Sequence, residues 1–177
     1  MLVRPDPALP NRRQRPAAAR TKRRLRFAWE RFSEIANELP PLFIEHWREL
    51  DDHQDIPLDP DWKRFYLGEA YGTLHILTAR RRDTRELVGY IFNFVNPHSQ
   101  HVSTSFAHTD GFWLEPSSRQ GWEPVRFLLE NVAGLRERGA KVHYLAIKLH
   151  WQAERMDKLL RRLGYRAVEV VYERMLR

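Results

Sequence analysis

The chain has 177 residues, 42% of them hydrophobic and 12% aromatic, with 30 Lys/Arg against 23 Asp/Glu and no cysteine. That length suits one domain plus a tail, and the missing thiols exclude disulfides, thiolate metal sites and a cysteine nucleophile, in keeping with an intracellular setting. No run approaches the ~18–20 apolar residues of a bilayer span, and the first residues lack a signal-peptide core, so a soluble cytoplasmic protein with no membrane partner is expected.

The formal charge of +7 is not spread along the chain. Residues 1–26 hold nine Arg or Lys against Asp6 alone, whereas the remainder holds 21 basic and 22 acidic side chains. Residues 1–24 also carry Pro5, Pro7, Pro10 and Pro16, a composition that cannot bury enough apolar surface to offset ordering. This segment is expected to be a flexible basic arm, either solvated or engaging nucleic acid or an acidic protein surface through charge neutralisation.

Residues 25–50 are predicted as N-terminal helices. Leu25, Trp29, Phe32, Ile35, Ala36 and Leu39 recur at spacings of three and four, which predicts a helix over 25–39. Pro40 and Pro41 are expected to interrupt it, with a second helix over Leu42–Leu50 carrying Phe43, His46, Trp47 and Leu50 on one side. A domain over residues 51–177 follows. Asp51–Asp61 reads as an acidic loop and Trp62–Ala70 as a short helix. Thr73–Ala79 and Leu87–Val95 read as a hairpin across a charged turn, and after a loop over Asn96–Ser103 a third strand spans Ser105–Leu114. Glu123–Arg138 has helical periodicity and ends at Gly139. Val142–Ile147 reads as a strand, Gln152–Leu163 as a basic helix, and Ala167–Leu176 as a closing strand.

Three stretches resemble the GNAT acyltransferase superfamily: Asp110–Val132 (DGFWLEPSSRQGWEPVRFLLENV), the strand LVGYIFNFV over 87–95, and Asp157–Leu176 (DKLLRRLGYRAVEVVYERML). The resemblance covers most of residues 40–177, and the set it is most similar to within that superfamily is that of tailed phages and prophages. It implies an α/β (α+β) acyl-CoA N-acyltransferase fold, a mixed central sheet flanked by helices behind the basic arm. It implies acetyl-CoA as co-substrate and an amine of a small molecule or protein as acceptor.

A helix N-terminus offers unpaired N–H groups and the positive end of the macrodipole, which suits a diphosphate. By this reasoning Arg119, Gln120, Gly121, Trp122 and Glu123 form the cofactor loop, with Arg119 adding a charge-assisted contact, and the backbone of Phe112, Trp113 and Leu114 is expected to pair with pantetheine amides. Against the superfamily's loop pattern, Ser118 stands at the basic position and Glu123 at the second small position.

The resemblance also implies a carboxylate base near the middle strand. Asp110 is the first candidate for base or substrate anchor, His108 shares its face by period-two alternation, and Glu115 ends the strand. The Tyr that protonates the departing thiolate in many members falls on Leu160 here. Tyr165 belongs to a turn and Tyr144 to a core strand, so the thiolate either leaves with help from water or backbone, or no transfer occurs. No histidine spacing fits a metal pair, His98 and His101 included. The alternative is a degenerate GNAT-fold structural or binding protein that uses its arm in a virion or on nucleic acid. Acceptor identity and self-association are not encoded in any motif.

Overall fold

The structure is a computed structural model that describes residues 24–176; the expectations for the basic arm fall almost entirely outside them. Eleven elements are present among the described residues. The first is a strand. β1 (Leu25–Glu30) pairs antiparallel with β2 (Leu74–Arg81), from Leu25↔Arg81 to Glu30↔Ile76. The helix expected over 25–39 is therefore wrong in its first half. Leu25, Phe27 and Trp29 satisfy a period of two as well as Leu25 and Trp29 satisfy a period of four, and the unpaired β2 edge decides between them. Trp29 seals the choice by lying on Gly134, where any Cβ would collide with the indole, while the Arg138 guanidinium sits 3.8 Å above its ring.

After the single turn α1 (Phe32–Ile35), the helix α2 runs over Leu39–Leu50. Pro40 and Pro41 begin this helix instead of interrupting one, because first-turn residues have no intrahelical N–H partner to lose. α3 (Trp62–Ala70) has the expected limits, capped by an Asp61 carboxylate that accepts from the Arg64 amide at 3.0 Å.

β2, β3 (Leu87–His98) and β4 (His101–Leu114) form an antiparallel meander, and the expected loop over 96–103 shrinks to a tight connection. The polar strand ends project past the core, so hydrophobic alternation fades before pairing does; Val102, for example, is fully exposed. A short 3-10 turn over Pro116–Ser118 leads to α4 (Glu123–Glu137), then β5 (Ala140–Leu145) and α5 (Ala153–Arg162). The sheet order is β1-β2-β3-β4-β5, and only β4 and β5 run parallel. The expected closing strand over 167–176 does not form. Val170, Val171 and Tyr172 lie exposed, and among the described residues the outer edge of β5 carries no further strand; Glu173 is held instead by His53 at 2.9 Å.

The sheet divides two apolar layers. On one face α1–α3 pack Phe32, Ile35 and Leu39 against Leu74, Ile76, Tyr90, Phe92 and Trp113. On the other, Phe127 and Leu128 of α4 cover Leu25, Leu77, Val88, Ile91 and Leu114, with Leu159 and Leu163 alongside. One polar thread crosses the second layer. Asn93 and Asn131, both fully buried, exchange hydrogen bonds of 2.9 and 3.2 Å. The Thr109 hydroxyl donates to Asn93 at 2.8 Å, so its contact with His143 Nε2, also 2.8 Å, places the imidazole proton there. His143 Nδ1 then accepts from the Tyr165 hydroxyl at 2.7 Å. The thread pins β3, β4, β5 and α4 together.

Both hydrogen bonds of the Asn131 side chain go to Asn93, whereas Asn93 also holds Thr109. Asn93→Leu is therefore expected to lower the unfolding free energy by about 1–3 kcal/mol in urea titrations, and Asn131→Leu by less, because only the first strands a buried amide. The double Leu variant should recover part of the loss.

Candidate functional site

β4 and β5 share register from Ser105↔Ala140 to Thr109↔Leu145 and no further. Beyond that point β4 continues to Leu114 with only β3 beside it, so one edge of Asp110–Leu114 carries peptide groups without a strand partner. The parting coincides with a β-bulge. Phe92 pairs with Gly111 and Asn93 with Thr109, leaving Asp110 as the extra residue. The bulge brings Asp110 and Gly111 together into the wall of one cleft.

That cleft encloses about 350 Å³ between α2, α3, the Asp51–Asp61 loop and the middle of the sheet. The face of α2 expected from sequence, Phe43, His46, Trp47 and Leu50, forms one side. Tyr90 and Phe92 form the floor, and Lys148 approaches from the chain after β5. Tyr90 is 2% exposed, and burial drives its phenol well above the ordinary range, so it stays protonated. Its hydroxyl lies 2.7 Å from His46 Nδ1. Burial pushes the His46 imidazole down to about 4, so it is neutral at ordinary pH. Its ring stacks on Trp113 with centroids 6.3 Å apart.

The predicted site residues divide sharply. Asp110 lines the cleft, and among the described residues its carboxylate has neither a hydrogen-bond nor an ion-pair partner. His108 does not join it there: it lies exposed against Tyr144, rings 5.0 Å apart. Glu115 is also elsewhere, paired with the Arg81 guanidinium and in reach of Ser118. Neither lines this cleft.

Among the expected cofactor residues, Phe112 and Leu114 pack toward α4 while Trp113 packs toward α2. The Arg119 guanidinium is not free for phosphate. Glu49 of α2 holds it through both carboxylate oxygens, its Nε donates to the Leu114 carbonyl, and it sits over the rings of Trp113 and Trp151 at 5.9 and 5.4 Å. Glu49 also accepts from Trp113 Nε1 at 2.8 Å, and the Arg119 hydrogen bond holds its carboxyl below the usual range. Arg119 is thus a buckle that fastens α2 onto β4.

The Glu123 carboxylate is held by arginine groups. It is nearly buried, accepting from the Arg24 amide at 3.0 Å and the Arg126 guanidinium at 2.6 Å. Gln120 also reaches toward Arg24, its Oε1 accepting from Nη1 at 2.6 Å. The peptide groups are what remain open. The Glu123 amide donates to the Gln120 carbonyl and Arg126 closes the first helical bond on Trp122, while the amides of Gln120, Gly121, Trp122 and Val125 have no acceptor among the described residues. Gly121 takes φ +60°, with nothing within 4 Å of where a Cβ would stand, so backbone there is accessible to a ligand.

The cleft lining includes Asp110 and the α2 face singled out in the sequence, and it adds Tyr90 and Lys148, with Glu49 held nearby on Trp113, which were not. A strand tyrosine reads as core, and the meeting of Tyr90 with His46 depends on how α2 crosses the sheet. The spacing of Glu49 from His46 was a legible signal, since i and i+3 place them side by side.

Burial also pushes His143 down to about 4. Unfolded imidazoles take up protons near pH 6.5, while His46 and His143 resist them until about pH 4, so acid favours the unfolded chain. Thermal unfolding is expected to show a melting temperature that falls as pH drops from 6.5 toward 4, with a shallower fall in His143→Gln.

No known family profile matches this sequence, and no curated protein does. Solved structures do. An aminoglycoside acetyltransferase from an uncultured soil metagenomic sample is 15% identical with a TM-score of 0.66, covering 86% of this chain and 99% of its own. A ribosomal-protein-alanine N-acetyltransferase from Brucella melitensis biovar Abortus 2308 is 17% identical with a TM-score of 0.66 over 86% and 97% of the two chains. A predicted acetyltransferase from Clostridium acetobutylicum, crystallised with acetyl-CoA, is 14% identical with a TM-score of 0.60 over 85% and 96%. Among the described residues no helix is long and apolar enough to cross a membrane. With its parted β4 and β5, its bulged middle strand and these neighbours, the chain has the fold of the GNAT acyltransferases.

Proposed function

We propose that the protein is an acetyl-CoA-dependent N-acetyltransferase acting on an amine seated in the cleft between α2 and β4. The observation that carries this reading is the conjunction at the end of β4: an unpartnered strand edge, a carboxylate without a partner at Asp110, and open amides at Gln120, Gly121, Trp122 and Val125. These groups fit the coenzyme. Amides at a helix start suit a diphosphate, and the free edge of β4 suits the amides of a pantetheine arm. Glu123, spent on Arg24 and Arg126, leaves the anion position open.

Acetyl-CoA supplies an activated thioester carbonyl to this site. Asp110 is placed to take a proton from the acceptor's ammonium, freeing the lone pair that forms the new C–N bond as the C–S bond breaks. The departing sulfur takes its proton from water, since Leu160 offers none and the Tyr165 hydroxyl is committed to His143. Trp113 and the Glu49–Arg119 pair hold the α2 wall against β4. His46, neutral and bound to Tyr90, shapes the cleft without adding charge.

A non-catalytic GNAT-fold protein is the competing reading, favoured by the commitment of Arg119 to Glu49 and by the leucine at position 160. Calorimetry separates the two: the transferase reading expects saturable acetyl-CoA binding, and no binding at millimolar concentration removes it. In steady-state assays with a turned-over amine, Asp110→Asn is expected to lower kcat by about 100-fold or more while acetyl-CoA affinity stays within about twofold.

A further inference from the structure

Resting on the transferase reading, the cleft also describes its acceptor. Much of its wall is apolar, with Phe43, Trp47 and Leu50 from α2, Leu58 from the loop, and Phe65 and Phe92 behind them, while Asp51, Asp110 and Lys148 bring charge to it. A second hollow of about 310 Å³ continues outward past Trp47 and Leu58 to Ile56 and Pro57, sharing Phe43, Trp47, Asp51 and Leu58 with the first. The charges along this path are partly matched: among the described residues Asp51 meets a backbone amide and no cation, and Asp59 of the outer hollow has no partner. Lys148 and His150 both face Asp52, at 3.5 and 2.7 Å, and Asp51 accepts the His53 amide at 2.8 Å. Asp110 alone among the inner cleft's carboxylates has no partner among the described residues.

In the inner cleft, one open carboxylate beside aromatic and aliphatic side chains matches a ligand with one cationic nitrogen and an apolar body. We infer that the acceptor is a primary monoamine carried on an aryl-alkyl or alkyl chain, its nitrogen at Asp110 and its body along Trp47 and Leu58. A polyhydroxylated polyamine would lose water from many hydroxyl and ammonium groups that these walls cannot satisfy.

The test uses the full chain with phenethylamine, hexylamine, spermidine and kanamycin, following CoA thiol release and, separately, tryptophan fluorescence without acetyl-CoA. Phenethylamine and hexylamine are expected to show kcat/KM at least about 30-fold above kanamycin and spermidine, within the range by which an apolar pocket and unsatisfied polar groups discriminate. Trp47→Ala should raise the phenethylamine KM by about tenfold with the acetyl-CoA KM unchanged. Leu58→Arg, on the exposed loop where folding is not at stake, should weaken the same amines by charge. Equal or better turnover of kanamycin or spermidine overturns the inference while leaving the transferase reading intact. Acetyl-CoA binding that fails in calorimetry overturns the transferase reading instead. Phenethylamine that leaves the fluorescence unchanged at millimolar concentration overturns the acceptor assignment whatever acetyl-CoA does.

Discussion

The parting of β4 from β5 after Thr109↔Leu145 is the constraint on which the rest of the molecule depends. Parallel strands normally stay paired because a buried unsatisfied peptide group is costly, so a strand that gives up its neighbour inside a sheet needs another partner or open space. Here the parting falls one residue before a bulge and shortly before the loop that opens α4. The same break therefore frees a peptide edge, projects Asp110, and leaves a gap toward which the first amides of α4 can point. The polar thread from Asn131 to Tyr165 lies at the vertex of this gap, bonding both strands just where they stop bonding each other. It fixes where the parting begins.

On the other face, α2 must be held over β4 for the cleft to exist. Apolar packing does part of this, through Phe43 stacked on Trp62 at 5.4 Å and against Tyr90 at 5.2 Å. Direction comes from the Glu49–Arg119 pair, with Trp113 donating to the same carboxylate. A partly buried pair that is bidentate, with one of its oxygens also accepting from an indole N–H, has the geometry in which Coulomb attraction offsets lost hydration. The cation that the loop sequence suggested for a ligand is thereby used to position the loop, which leaves peptide dipoles as the groups for the proposed phosphate recognition. The solved neighbours carry acetyltransferase names with unlike acceptors, an aminoglycoside in one and a ribosomal-protein alanine in another, as expected when one scaffold hosts different acceptor walls.

Much of this was legible in the residues. α3 has the predicted limits because Asp61 caps it and aromatic periodicity fills it. The α4 start was legible from the helical periodicity that begins at Glu123. The misses share a cause. Leu25–Glu30 satisfied two periodicities, and only the waiting β2 edge selected the strand. Ala167–Leu176 had strand propensity but pairs with no strand among the described residues, and Arg119 had the right position for a ligand but a nearer carboxylate 70 residues away in sequence. Each was decided by a long-range partner, which a local pattern does not encode. His108 on β4 and Glu115 just past its end lie outside the cleft lining, against Tyr144 and Arg81.

The central claim is that the peptide amides opening α4 receive a coenzyme diphosphate beside the free edge of β4. Amide-resolved NMR of the full chain during titration with coenzyme A tests it most directly. The account predicts the largest saturable shifts at Gln120, Gly121, Trp122 and Val125, followed by Gly111–Leu114, with the surface around His98 and His101 unmoved. Saturable binding that leaves those four amides in place, or a titration that moves no amide at all, would contradict it.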